Sequence, residues 1–170
     1  GHDAIVRALL DAGANKDLAK TDGWTPLLIA AANGHDAIVR ALLDAGADKD
    51  LARNNGATPL FIAAEEGHDA IVRALLDAGA WHWLASKDLG PNEGGTPLII
   101  AAQKGHDAVV RTLLGAGADK DLADNAGVTP LYIAAHNGHD AVVRALLDAG
   151  ADKDFTDDDG VTPLIVAAAG

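Results

Sequence analysis

The chain has no cysteine and no methionine, and its aromatic residues are limited to three Trp, two Phe and one Tyr. Without thiols there is no disulfide framework, no thiolate metal site and no pointer to a redox compartment. Cations are scarce too. Thirteen Lys and Arg against 25 Asp and Glu leave a net charge of −12, a field that repels nucleic-acid phosphate and anionic membrane surfaces and so argues against both as partners. No run of about 18 apolar residues and no basic-then-apolar leader is present, so neither a membrane span nor a signal peptide is expected. Motifs that carry chemistry are also missing. There is no GxSxG, HExxH or CxxC and no N-x-S/T acceptor. Gly90 to Gly95 has the spacing of a phosphate loop, but Thr96 stands where the lysine is needed. Asp157-Asp158-Asp159-Gly160 resembles part of a calcium loop, yet Phe155 occupies the first ligand position and no glutamate closes the site. The expectation is no catalysis, no metal and no cofactor.

What is present is repetition. GHDAIVRALLDAGA occurs unchanged at Gly1, Gly34 and Gly67 and returns slightly altered at Gly105 and Gly138, with starts separated by 33, 33, 38 and 33 residues. The tripeptide TPL, at Thr25, Thr58, Thr96, Thr129 and Thr162, is separated by 33, 38, 33 and 33 residues. Two independent markers therefore agree on the period and on where it lengthens. A fixed period of this size implies a solenoid whose units bury their apolar sides only against their neighbours. The chain divides into a half unit 1–13, units at about 14–46, 47–79, 80–117 and 118–150, and a half unit 151–170, all one domain. The five surplus residues fall in unit 80–117.

Within a unit, Asp36 to Ala45 places Ile38, Val39, Leu42 and Leu43 at helical spacing, with Gly46 where a helix ends at positive φ. That predicts a helix of about ten residues. Ala47 to Asn55 holds turn-forming polar residues around one apolar anchor, Leu51, and leads into Asn55-Gly56, a tight-turn signal. Thr58-Pro59-Leu60 then opens a short helix, with threonine as cap and proline at the first helical position. Five of the seven histidines, His2, His35, His68, His106 and His139, recur with the repeat and read as structural.

These residues carry a resemblance that spans the chain. GADKDLARNNGATPLFIAAEEGHDAIVRALLDAGA is similar to the ankyrin repeat, with its 33-residue period and its T-P-L-H-x-A motif. The near-identity of the units also resembles designed consensus ankyrin repeat proteins, which are engineered binders. The resemblance implies an all-α solenoid of stacked helix-turn-helix units with β-turn fingers. It further implies a concave surface lined by fingers and first helices that binds a protein without catalysis. One departure is consistent. The family's histidine after TPL is replaced by Leu28, Phe61, Ile99, Tyr132 and Ile165.

Differences among the copies concentrate in the fingers and first helices, whereas the second helix keeps even Arg7, Arg40, Arg73, Arg111 and Arg144. Variation confined to one surface of a constant frame points to partner contact rather than drift. The candidate residues on that surface are Trp24, Arg53, Phe61, Glu65, Glu66, Ile99, Lys104, Tyr132 and His136. The irregular unit supplies the rest. Trp81-His82-Trp83 aligns with Asp48-Lys49-Asp50, and the lengthened finger that follows presents Lys87, Asp88, Leu89, Asn92 and Glu93. Tryptophan at a position otherwise Asp or Asn reads as a hot spot, or else as a small satellite core beneath its own loop.

Neither end of the chain shows a polar cap. Ile5, Val6, Leu9 and Leu10 at one end and Leu164, Ile165 and Val166 at the other have internal character. Writing Gly170 before Gly1 gives AAAGGHDAIV, in register with AAEEGHDAIV from Ala63. Head-to-tail stacking is therefore expected as an alternative to target binding, alongside a scaffold that tests stability or loop insertion. Flanking caps or tags outside this sequence would remove the exposure.

Overall fold

A computed structural model describes residues 2–80 and 95–170. Among these residues every regular element is a helix, and two types alternate. The first helices of the units are α2 (Pro26–Ala32), α4 (Pro59–Glu65), α6 (Pro97–Lys104), α8 (Pro130–His136) and α10 (Pro163–Ala169). The second helices are α1 (Asp3–Asp11), α3 (Asp36–Asp44), α5 (Asp69–Asp77), α7 (Asp107–Gly115) and α9 (Asp140–Asp148). The predicted ten-residue helix is nine residues long, because Ala45 serves as its C-cap.

Each first helix begins as the TPL motif predicts. The threonine hydroxyl accepts the N–H three residues on, at 3.2 Å for Thr58 and Phe61, and proline takes the first helical position. Each second helix lacks a side-chain cap, but in four of the five an aspartate in the first turn pairs with the arginine one turn later. Four such pairs are formed, Asp36–Arg40, Asp69–Arg73, Asp107–Arg111 and Asp140–Arg144, at 2.9–3.1 Å. Both helix types stop at a left-handed glycine. At Gly46, φ is +75°, and the N–H of Ala47 reaches back to the Leu42 carbonyl at 2.9 Å.

Stacking follows from side-chain size. Each first helix packs on the next first helix, each second helix on the next second helix, and the two within a unit on each other. Ala63, Ala64, Ala101 and Ala102 are fully buried in α4 and α6, and their small side chains suit the close packing of these two helices. Leu60, Leu75, Leu98 and Val109, from both helix types, are buried in the same core. The resulting core is a continuous ribbon through the described units. It passes the surplus in unit 80–117 without interruption, since Ala80 and Gly95 on either side are buried and α4 packs on α6 as α2 packs on α4.

Candidate functional site

The fingers are tight hairpin-like turns. In the first, the Lys20 N–H bonds the Trp24 carbonyl and the Gly23 N–H bonds the Lys20 carbonyl, both at 2.9 Å. The same pattern recurs at Arg53–Ala57, Asp124–Val128 and Asp157–Val161. Neighbouring fingers are tied together by side chains. The Asp17 carboxylate accepts the Asp48 N–H at 2.8 Å, the Asp121 carboxylate accepts the Asp152 N–H at 2.7 Å, and the Asn54 amide donates to the Thr21 carbonyl at 3.2 Å. These ties fix the fingers relative to one another before any partner arrives.

Three of the five recurring histidines latch first helices. His68 Nε2 donates to the Ala32 carbonyl at 3.3 Å, and His106 and His139 donate to the Glu65 and Gln103 carbonyls at 2.9 Å. Each ring also lies against the left-handed glycine of the preceding unit. A Cβ on Gly67 would sit 2.7 Å from the His106 ring. The expectation that these histidines are structural thus acquires a mechanism. On the second helices, Thr112 stands where other units have alanine, and its hydroxyl joins the irregular unit to the one before it by donating to Asp69.

A family model for ankyrin repeats matches three overlapping stretches, residues 1–83, 52–124 and 98–170. The chain belongs to the ankyrin-repeat family. Proteins built on these repeats are generally protein-interaction modules. No curated protein matches this ankyrin-repeat chain.

The candidate residues divide by environment. Trp24 and Arg53 are brought together, the guanidinium lying 4.6 Å above the indole centroid, with Trp24 half-buried against the core. Arg53 Nε is buried without a hydrogen-bond partner, so the contact of this cation here is with the indole face and not with an acceptor at Nε. Tyr132 is half-buried, and its hydroxyl donates to Asp157 of the next finger. Partial burial, followed by the bond to Asp157 and its charge, holds the hydroxyl above its usual pKa of 10.0. Glu66, Lys104 and His136 are exposed and Glu65 is half-buried, all at the ends of first helices.

Two candidates require correction. Phe61 and Ile99 are only 3% and 6% exposed, and so cannot project as anchors. They form part of the wall of a shallow recess of about 300 Å³ shared with Gln103 and Asp124. Variation at this position stays apolar in Leu28, Phe61 and Ile99 because the core accepts exchanges of similar volume. The retained arginines also change meaning. Four of the five hold ion pairs with their own helices, so their constancy has a local cause and is no control for drift.

Trp81, His82, Trp83, Lys87, Asp88, Leu89, Asn92 and Glu93 lie outside the described residues. Their counterparts in regular units differ in exposure. Asp48, aligned with Trp81, is exposed, whereas the Asp17, Asp50 and Asp121 side chains, aligned with Trp83, are 35%, 24% and 32% exposed. The carboxylate ties of Asp17 and Asp121, absent from the sequence reading, were traceable only as aspartates kept at one position of the regular units.

Proposed function

We propose that the chain is a non-catalytic, engineered binding module. It grips a folded protein through the face formed by its fingers and first helices, together with the loop at 81–95. One observation carries this reading. The residues that change from unit to unit at the first-helix ends, such as Glu66, Lys104 and His136, are exposed, while α4 and α6, which end at the first two, are latched by the same histidine contact. A rigid frame presenting a variable row keeps the ordering cost of binding low. Trp24 with Arg53, and Trp81 with Trp83, would supply anchors, since Trp and Arg dominate interface energetics. The charged residues around them would tune specificity and association rate.

The test begins with a partner captured from a displayed library and purified, with affinity then measured by titration calorimetry. Trp81→Ala with Trp83→Ala should cost about 2 kcal/mol or more of binding, and Glu66→Lys with Lys104→Glu should slow association. Arg40→Ala and Arg73→Ala, on the second helices, should leave affinity unchanged. The reading is overturned if only the latter pair weakens binding.

A further inference from the structure

At three junctions of the stack, the residue that opens a finger turn meets the unit before it in three different ways. Arg53 lies over the Trp24 ring, 4.6 Å from its centroid. The Asp157 carboxylate accepts the Tyr132 hydroxyl, while its Oδ1 accepts the N–H groups of Asp159 and Val161 at 3.0 and 2.8 Å. Asp124 is the counterpart of both, and its Oδ1 is likewise taken, by the N–H groups of Ala126 and Val128 at 2.9 and 3.0 Å. The unit it faces is what differs. Gly95 stands at the position of Trp24 and brings no ring, and Ile99 stands at the position of Tyr132 and brings no hydroxyl. Among the described residues, nothing donates to Asp124 Oδ2. The recess of about 300 Å³ lies at this junction, with Phe61 and Ile99 as apolar wall and Asp124 and Gln103 as polar wall.

We propose that this recess is a docking pocket for an arginine side chain of a basic protein partner. This rests on the binding-face reading above and names the chemistry of the partner. The aliphatic stem lies against Phe61 and Ile99, and the guanidinium donates to Asp124 Oδ2 and to the Gln103 amide oxygen. Asp124 is half-buried, so a cation brought to it gains more than it would at an open surface. An apolar or aromatic anchor would cover the same wall but leave that oxygen without a donor. Arginine suits the site better than lysine, because its planar fork serves two acceptors at once while its stem covers apolar surface. The surrounding charge has the matching sign. Glu65 and Glu66 close α4, against Lys104 at the end of α6, and the chain as a whole carries −12, a field that steers a basic surface towards the pocket.

Titration of the intact, nitrogen-15-labelled chain with Nα-acetyl-arginine amide, followed by NMR, tests the pocket. The Gln103 side-chain amide and the Ile99 and Val128 backbone amides should shift and saturate. The citrulline analogue, nearly the same shape without the charge, should leave them in place. Asp124→Asn keeps the Oδ1 acceptor and should weaken arginine at least about tenfold with unchanged helical circular dichroism. Ile99→Tyr gives Asp124 the hydroxyl that Tyr132 gives Asp157, and should weaken arginine in the same way. With the library-captured partner, Asp124→Asn and replacement of one partner arginine by alanine should each cost about tenfold and combine non-additively. No saturable shift with arginine, equal shifts with citrulline, or indifference to Asp124→Asn overturns the pocket. If this happens while Glu66→Lys with Lys104→Glu still slows the partner, the binding face stands and the pocket alone falls. Arginine shifts with a partner weakened only by Arg40→Ala and Arg73→Ala overturn the binding face, and the docking role with it.

Discussion

Single residues in this chain matter most where one unit touches the next. Gly67 meets two demands together, a φ of +75° and a Cβ direction only 2.7 Å from the His106 ring. Gly13 shares the backbone demand, with φ +82°, but has nothing within 4 Å of that direction. Gly67→Ala should therefore lose the roughly 1–2 kcal/mol of a left-handed alanine plus the cost of displacing the ring. Gly13→Ala should lose less. Urea denaturation of the two variants checks the order, and equal losses would show that the histidine contact contributes nothing. Trp24 with Arg53 illustrates what a sequence leaves unread. Both residues were recognisable as variable finger positions, but their pairing joins residues 29 apart. A repeat shows which residue recurs without showing which neighbour it faces. Phe61 and Ile99 show the converse, since variation at a position resembles surface exposure whether the side chain lies outside or within a tolerant core.

At the scale of the helix, the code is nearly all local, and that is why it was legible. Thr-Pro starts and glycine stops act within one or two turns, and the structure places both where the sequence indicates; the Asp–Arg pairs are equally local but were not read from the sequence. The contribution of a cap still depends on its surroundings. Thr58 is 1% exposed and opens a helix buried on both sides, whereas Thr162 opens α10, which is stacked on one side only. Thr58→Ala should cost about 1–2 kcal/mol, because a buried N–H loses its acceptor. Thr162→Ala should cost only a few tenths to about 1 kcal/mol, since water can replace the hydroxyl at an open end. Thermal unfolding followed by circular dichroism measures both, and a larger loss at Thr162 would contradict this ranking.

Across the whole molecule, stability is a sum of nearest-neighbour interfaces rather than of one central core. The end helices have one neighbour where inner helices have two, so they should open first. Hydrogen exchange on dilute protein should show the fastest amide exchange in α1 and α10 and the slowest in α4, α5 and α6. Uniform protection along the stack would indicate a single cooperative unit instead. The placement of the surplus residues has a further consequence. Ala80 and Gly95 are pinned by the repeats on either side, so any segment joining them starts and finishes at the same two posts. Closing a longer segment costs only about 0.6 kcal/mol for each doubling of its length. The junction should therefore work as a socket, where inserts of different length and chemistry are exchanged while the stem that carries them stays folded, an outcome that thermal unfolding of length variants checks.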